Sequence, residues 1–480
     1  MGSYENAVQD WTACPDTRLS ADCHHRIVKG STPCSVNFLV NKISVTMNIS
    51  KAFKDIVSRW RGVLKNRDVR WLYAGQLISQ IGEGLSKVAL LWFVYNTTES
   101  ALKMTLVGVL QTVPPLVFGP FAGVLLDRLP KRMTMIVIDV ARTGLLSLIP
   151  ILYALGHLSL LWLYTLVFVI AMFSMAFGPT LNAALPRLVK KEQLVGINAL
   201  MQSALTVGQL MGPALSGILI AAIGAQNVLY VNAGTFFVAA FMMIPVKIPH
   251  IEAVGRWQHA WPQAVEDFRT GVRFIFIKQR LLLLLMVIAS IFSFGSQGFV
   301  YLLPMIAEKI LQVGSVGLGW LWSSLSIGFL LATVLVVVIK NQDICHRMLL
   351  MAGASAVGGG AALVLLLPWP FLVAAVFIAV IGISSGLLTP LVSASLQERT
   401  PHDLLARVFG IFNTGTMAFA MLGMTVLGWA SDKFGASVSL MTIGSAQLGA
   451  AAFAAVLLPL CSRLAKESGS KSPASRRAVA

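Results

Sequence analysis

Four polar residues stand in register in an otherwise apolar run. Gln76, Gln80, Glu83 and Lys87 recur at i, i+4, i+7 and i+11 within residues 70–95. At about 100° per residue they fall in one stripe of a helix. Gly75, Ser79, Gly82 and Ser86 form a second, small-residue stripe beside it. The run is long enough to cross a bilayer, and Glu83 sits about halfway along it. A charge at that depth costs roughly 3 kcal/mol or more unless it faces a cavity or a partner. Two readings follow. Glu83 and Lys87, one turn apart, can neutralise each other as a structural pair. Alternatively the stripe lines a polar path through the membrane, with Glu83 as the group that takes up and releases a proton. Asp139 and Arg142 at i, i+3 form a second charge pair, and Asp139 is the runner-up for proton exchange. Asn182, Gln202, Asn232, Gln297 and Asn413 also interrupt apolar runs. Each can bond a neighbouring helix or contact a substrate.

The elements that must position these groups are membrane spans. Of the 480 residues 56% are hydrophobic and only 12% charged, about half the charge of a soluble domain. Twelve apolar runs follow one another, at 71–95, 102–126, 134–155, 159–179, 197–222, 227–246, 281–303, 315–339, 347–367, 370–395, 408–430 and 436–460. The expected fold is an all-α polytopic membrane protein of twelve transmembrane helices. The net charge of +17 does not point to nucleic acid, because the bases lie between the runs. Arg128, Lys131 and Arg132, then Arg187, Lys190 and Lys191, then Lys340 and Arg347, then Arg399 and Arg407 mark one side. Lys103, Lys309 and Lys433 are the few on the other. By the positive-inside rule both termini are cytoplasmic.

The linker 247–280 divides the spans six and six, so 71–246 and 281–460 are expected to be two six-helix bundles. Within it, 261–276 has the pattern of an amphipathic helix lying on the cytoplasmic surface. Residues 1–50 lack sustained periodicity and are expected to be a disordered tail, 51–70 a basic membrane-proximal helix and 461–480 a cytoplasmic tail. Met47 is one candidate for the natural start. Cys14, Cys23, Cys34, Cys345 and Cys461 suggest no disulfide framework. Cys23-His24-His25 lacks the CxxC spacing of a metal cluster, so no metal is expected. An offset of 211 residues aligns Pro179 with Pro390, Ala183 with Ala394 and Leu185 with Leu396. A slightly larger shift brings Asp127 near Asp343 and Arg132 near Arg347. The halves are therefore expected to be a duplication, whose interface is the usual place for a midplane binding site.

Two clusters carry further chemistry. Gly123, Asp127, Arg128, Lys131 and Arg132 lie around the second linker. They form a cytoplasmic latch in which the glycine admits a neighbouring helix, the aspartate bonds backbone N–H groups or a cation, and the bases hold a helix by charge. Gly208, Gly212, Pro213 and Gly217 form a GxxxG face with a proline that invites a kink. The first cluster resembles motif A of the major facilitator superfamily, G-x-L-a-D-r-x-G-r-k, with Pro130 in place of its second glycine. The second resembles that superfamily's motif C, g-x-x-x-G-P-x-x-G-G, with Ser216 for one glycine. AGQLISQIGEGL, ARVFGIF and GWASDKFG resemble the macrolide-efflux and enterobactin-exporter branch.

The resemblance implies two pseudo-symmetric six-helix bundles rocking between inward- and outward-open states, the latch holding the outward-facing one. Motif C implies an exporter working as an antiporter. Such a protein would move a drug, macrolide or siderophore-like molecule out across the bacterial inner membrane. It would act as a monomer, with a proton gradient as driving force and no cofactor. A lysophospholipid flippase and an uncoupled facilitator are the alternatives. No HExxH and no Walker-type phosphate loop is present, so neither an enzyme nor direct ATP drive is expected.

Overall fold

The computed structural model describes residues 60–249, 269–338, 343–401 and 403–470, without the side chains at 120–125, 127–128, 278, 280, 337–338 and 460–470. The expectations for the tail 1–50, for the cysteine–histidine cluster, and for most of the 247–280 linker and the 51–70 lead-in fall outside these residues.

Twelve long helices follow one another in the described residues, and no strand occurs among them. They are α1 Arg67–Thr98, α2 Ala101–Arg128, α3 Lys131–Ala154, α4 Leu160–Leu188, α5 Leu194–Ile223 and α6 Ala225–Met243, then α7 Arg280–Met305, α8 Gly314–Val338, α9 Ile344–Val364, α10 Phe371–Arg399, α11 Leu405–Phe434 and α12 Ala436–Ser470. Eleven are long and apolar enough to cross a membrane. The other, α6, has 19 residues and carries Gln226, Asn227, Asn232 and Thr235. Several helices outrun their apolar stretches. At 32 residues α1 is about 48 Å long, against roughly 30 Å of hydrocarbon. α4 continues past Pro179 and Pro186 to Leu188. Charge and proline end a hydropathy pattern before they end a helix whose backbone bonds are still made.

Local chemistry sets the joints. The Asn66 side chain caps α1 by accepting from the Asp68 N–H at 2.9 Å and donates to the Leu188 carbonyl at 3.0 Å. Ser100 caps α2 two residues after α1 ends. Gly224 joins α5 to α6 at φ +83, and Gly435 joins α11 to α12 at φ +93, a backbone region that favours glycine. These joints stand 211 residues apart, the same offset as Pro179 in α4 and Pro390 in α10.

α1 packs on α5 and α6, and α3 on α4 and α6; α7 packs on α11 and α12, and α9 on α10 and α12. Between the halves the principal contacts are α5 with α8 and α2 with α11. The buried apolar side chains show how the halves meet. At one end a single cluster runs through both, from Leu85–Tyr95 and Met104 to Phe299–Met305 and Leu318–Leu325. At the other end are two clusters. One, around Leu72, Met135 and Leu185, belongs to the first half. The other, around Leu282, Met348 and Leu396, belongs to the second. The halves are joined at one end and parted at the other. Leu161, Phe237, Phe241, Leu372 and Val456 lie on the outside with most of their surface exposed, the chemistry of a surface solvated by lipid.

Of the expected amphipathic helix at 261–276, the described part is helical, α-helical to Arg273 and then a π-helical turn, Phe274–Lys278, that leads into α7. Cys345 is disulfide-bonded, which the cysteine spacing did not announce.

Candidate functional site

Between the parted halves lies a cavity of about 780 Å³. From the predicted residues it gathers Gln80, Glu83 and Lys87 of α1, Arg142 of α3, Gln202 of α5, Asn232 of α6 and Gln297 of α7. Gln76 does not reach it. α3 and α6 cover that turn of α1, and Gln76 is buried beside Asp139 at a separate void of about 10 Å³. Asn182 and Asn413 also lie outside the cavity, exposed towards the parted end of their bundles.

The charge pairing differs from the local expectation. Glu83 is not paired with Lys87. Its Oε2 accepts from Arg142 Nη2 of α3. Arg142 Nη1 lies 3.9 Å from Asp139 Oδ1, so one guanidinium stands between two carboxylates. Asp139 is 1% exposed, whereas the Glu83 side chain is 54% exposed, on the cavity side. The guanidinium rests on the Phe236 ring, 3.8 Å from its centroid, the stacking a planar cation favours. Asp139 Oδ1 and Gln76 Oε1, buried at the same small void, have no hydrogen-bond partner.

Lys87, released from Glu83, turns to the other half. Its ammonium lies 5.7 Å from the Tyr301 ring centroid and 5.0 Å from that of Trp322, within reach of both π faces. It takes part in none of the ion pairs found among the described residues. Tyr301 also donates to Gln111 of α2 at 3.1 Å. Tyr301, Trp322 and Gln111 were not legible as site residues. Aromatic residues in apolar runs look like lipid-facing ones, and only the meeting of α1, α2, α7 and α8 sets them apart.

The motif C glycines are contact points. A Cβ at Gly208 would strike the Gln80 backbone, and one at Gly212 the Gly84 Cα, so α5 lies backbone to backbone on α1. Ser216, in the place of a glycine, donates to the Leu85 carbonyl at 2.8 Å. Gly217 meets Ser315 and Gly319 of α8 across the halves. α5 runs as one helix through Pro213. Around the second linker, the side chains of Asp127 and Arg128 and the surroundings of Gly123 lie outside what the structure describes. Lys131 is buried and donates to the Leu126 carbonyl at 2.6 Å. Arg132 donates to the carbonyls of Met243 and Ile244 at the end of α6, in its own half. At the joined end, Asp432 of α11 receives bonds from Ser100 Oγ at 2.5 Å, Ala101 N at 2.6 Å and Leu102 N at 3.1 Å. A carboxylate thus sits on the N-terminus of α2, where the helix dipole favours it.

Among known proteins, the major facilitator superfamily matches residues 72–424. Macrolide efflux protein A of Streptococcus pyogenes is 25% identical over 370 residues, covering 76% of this chain and 89% of that protein. Multidrug efflux pump Tap of Mycolicibacterium fortuitum is 23% identical over 381 residues, covering 76% and 90%. Among solved structures, a point mutant of the nucleoside transporter NupG aligns with TM-score 0.65 at 12% identity, over 83% of this chain and 99% of that one. A bacterial homologue of the lysosomal transporter Spinster aligns with TM-score 0.62 at 13% identity, over 83% and 97%. The polar cavity between two six-helix bundles and a match that runs from α1 into α11 lead to one conclusion: the chain belongs to the major facilitator superfamily and is a multi-pass membrane transporter, not an enzyme.

Proposed function

We propose that the protein exports a small amphipathic molecule by alternating access, driven by protons moving inward. The observation that carries this reading is the arginine shared by two carboxylates. Arg142 bonds Glu83, which faces the cavity, and lies against Asp139, which does not. A proton arriving at Glu83 cancels its claim on the guanidinium and leaves Arg142 to Asp139. Loss of that proton restores the first pairing. Ligand entry and proton exchange thus meet at one cation. The motif C resemblance and the relatives named as efflux proteins support the outward direction.

The basic linkers put both termini in the cytoplasm of a bacterial inner membrane. With that orientation, the joined end at Ser100 and Asp432 faces outwards and the cavity opens inwards. The substrate class suggested by the relatives is a macrolide or another drug, with siderophore-like molecules kept from the sequence resemblance. Protons are the only coupling agent required, no cofactor takes part, and a monomer contains the whole cavity.

The test is reconstitution into liposomes with an imposed pH gradient. Macrolides, dyes, siderophores and lysolipids are offered, and Glu83→Gln is run beside wild type. Gradient-driven accumulation by wild type and its loss in Glu83→Gln are expected. Undiminished accumulation by Glu83→Gln would remove the coupling mechanism. A second reading, a lysophospholipid transporter, has one observation in its favour. Beyond the last bond between α5 and α8, from Ser326 Oγ to the Gln209 carbonyl, the cavity is walled by Gln202 and Thr206 on one helix and by exposed Phe329 and Leu330 on the other. A chain could enter there from the bilayer. Lysolipid movement without drug or dye movement would favour it.

A further inference from the structure

We infer that the cavity selects amphipathic anions, with Lys87 as the residue that binds the anionic head. This rests on the reading above only in taking the cavity as the substrate's site, and it narrows the substrates there to anionic drugs and siderophore-like molecules, away from macrolides that carry a basic amine.

Counted with Asp139, two carboxylates face two cations, but among the side chains that line the cavity Lys87 is the cation that makes no ion pair with the described residues. The acidic and basic side chains lining the cavity are Glu83, Lys87 and Arg142. Glu83 is taken by Arg142. Asp139 answers the other side of that guanidinium from outside the cavity. Lys87 remains, open to the cavity and outside the ion pairs of the described residues. A cation held inside a membrane protein is satisfied by water or by an anion, and here the space beside it holds a ligand-sized volume.

The position of Lys87 adds direction. Its ammonium is set over Tyr301 and Trp322, which fixes the charge against the second half, while Val300, Leu325 and Phe329 supply apolar wall close by. A carboxylate, sulfonate or phosphate monoester would pair with the ammonium by charge-assisted hydrogen bonds, its apolar body lying along that wall. A cationic ligand meets the reverse arrangement. The one carboxylate lining the cavity already holds Arg142 on one oxygen, so a cationic ligand would have to share it with the guanidinium. The two aromatic faces that could cradle a cation already face Lys87.

The experiment compares two probes with one ring system and opposite charge, 2-naphthalenesulfonate and 2-naphthyltrimethylammonium. Each is equilibrated by dialysis with the full chain in lipid nanodiscs, against empty nanodiscs. The sulfonate is expected to bind at least about tenfold tighter than the ammonium. Lys87→Gln should lose about tenfold in sulfonate affinity, and Lys87→Arg should keep it. Equal or tighter binding of the ammonium overturns the inference. So does unchanged sulfonate binding by a folded Lys87→Gln, or binding of neither probe. The wild-type comparison needs no variant to fold. Export is read separately from the pH-gradient liposomes, so a cation-selective exporter would sink this inference and leave the export reading standing.

Discussion

The two halves share an architecture and differ in chemistry at one corresponding spot. In the first half, α3 meets α6 where Arg142 stacks on Phe236 between Glu83 and Asp139. At the repeat offset of 211, Phe236 falls on Gln447, and at the offset relating Arg132 to Arg347, Asp139 and Arg142 fall on Ala354 and Val357. There α9 meets α12 through Gly358 and Gly359, both packed against Gln447. Charge fills the spot in one half, and a neutral amide among glycines fills it in the other. The second half's bidentate pair, Arg347 with Glu398 at 2.6 and 2.8 Å, sits at the parted end of its bundle, away from the cavity lining. Under the proposed coupling the difference would assign work: one half would carry the charge that responds to protons, and the other supplies aromatic wall and close helix contacts against which that half can move.

The largest expected effect strikes the charged half. Arg142→Ala leaves Asp139 buried without its counter-ion and Glu83 without its donor. The loss should be about 3 kcal/mol, the lower end of the range for breaking a buried pair because Glu83 is half exposed. Gradient-driven transport should vanish with it. Thermal unfolding in detergent checks the first, and liposome uptake the second. A stable, active Arg142→Ala would break the comparison at its root.

Next comes a contrast between contacts within and across halves. Gly212→Val forces α5 off α1, where two backbones touch, and should cost about 2–3 kcal/mol by overpacking. Gly319→Val faces Gly217 across the halves, and the halves can yield by parting. It should lose less than about 1 kcal/mol of stability while lowering transport. Thermal unfolding read beside transport separates the two. Equal destabilisation would mean that the halves are as rigidly joined to each other as helices are within one.

How much of this was legible depended on whether the signal was local. The spans could be read because each is a continuous apolar run. The duplication could be read because Pro179 and Pro390 keep one offset, which Gly224 and Gly435 then repeat. Gln80, Glu83, Lys87 and Arg142 could be placed because a polar group in a bilayer span needs a reason. The partner of Glu83 could not be placed. Lys87 is one turn away and Arg142 is 59 residues away, and only the packing of α1, α3 and α6 decides between them. The same packing hides Gln76, whose spacing put it on the stripe but whose turn is covered. Tyr301 and Trp322 carried no periodic signal at all.

Across the joined end the effect is smaller. Asp432→Ala removes the acceptor for three donors at the start of α2 and should cost about 1 kcal/mol, as loss of a helix cap does. Because the bond spans the halves, the cost falls on one state of the transporter. The opposite state should gain about fivefold in population. Labelling Gln111→Cys, in a background without the native cysteines, by an impermeant maleimide applied at the joined end reads that population. Unchanged labelling would show that Asp432 caps α2 in both states and does not hold the halves together.

The smallest effect should carry the opposite sign and belongs to the neutral half. Gln447 is fully buried, and neither its Oε1 nor its Nε2 has a partner. A buried amide left unbonded costs free energy that an apolar side chain of similar size does not. Gln447→Leu should therefore hold or raise thermal stability, by up to about 1 kcal/mol, with transport intact. Arg142→Ala and Gln447→Leu then form one experiment on the same spot of the two halves, Gln447 standing where Phe236 stands beneath Arg142, and it is their difference in sign that matters. Were Gln447→Leu to lose stability and transport together, the second half would hold working polar chemistry at the same spot. The halves would then share the response to protons, and assigning it to the first half alone would fail.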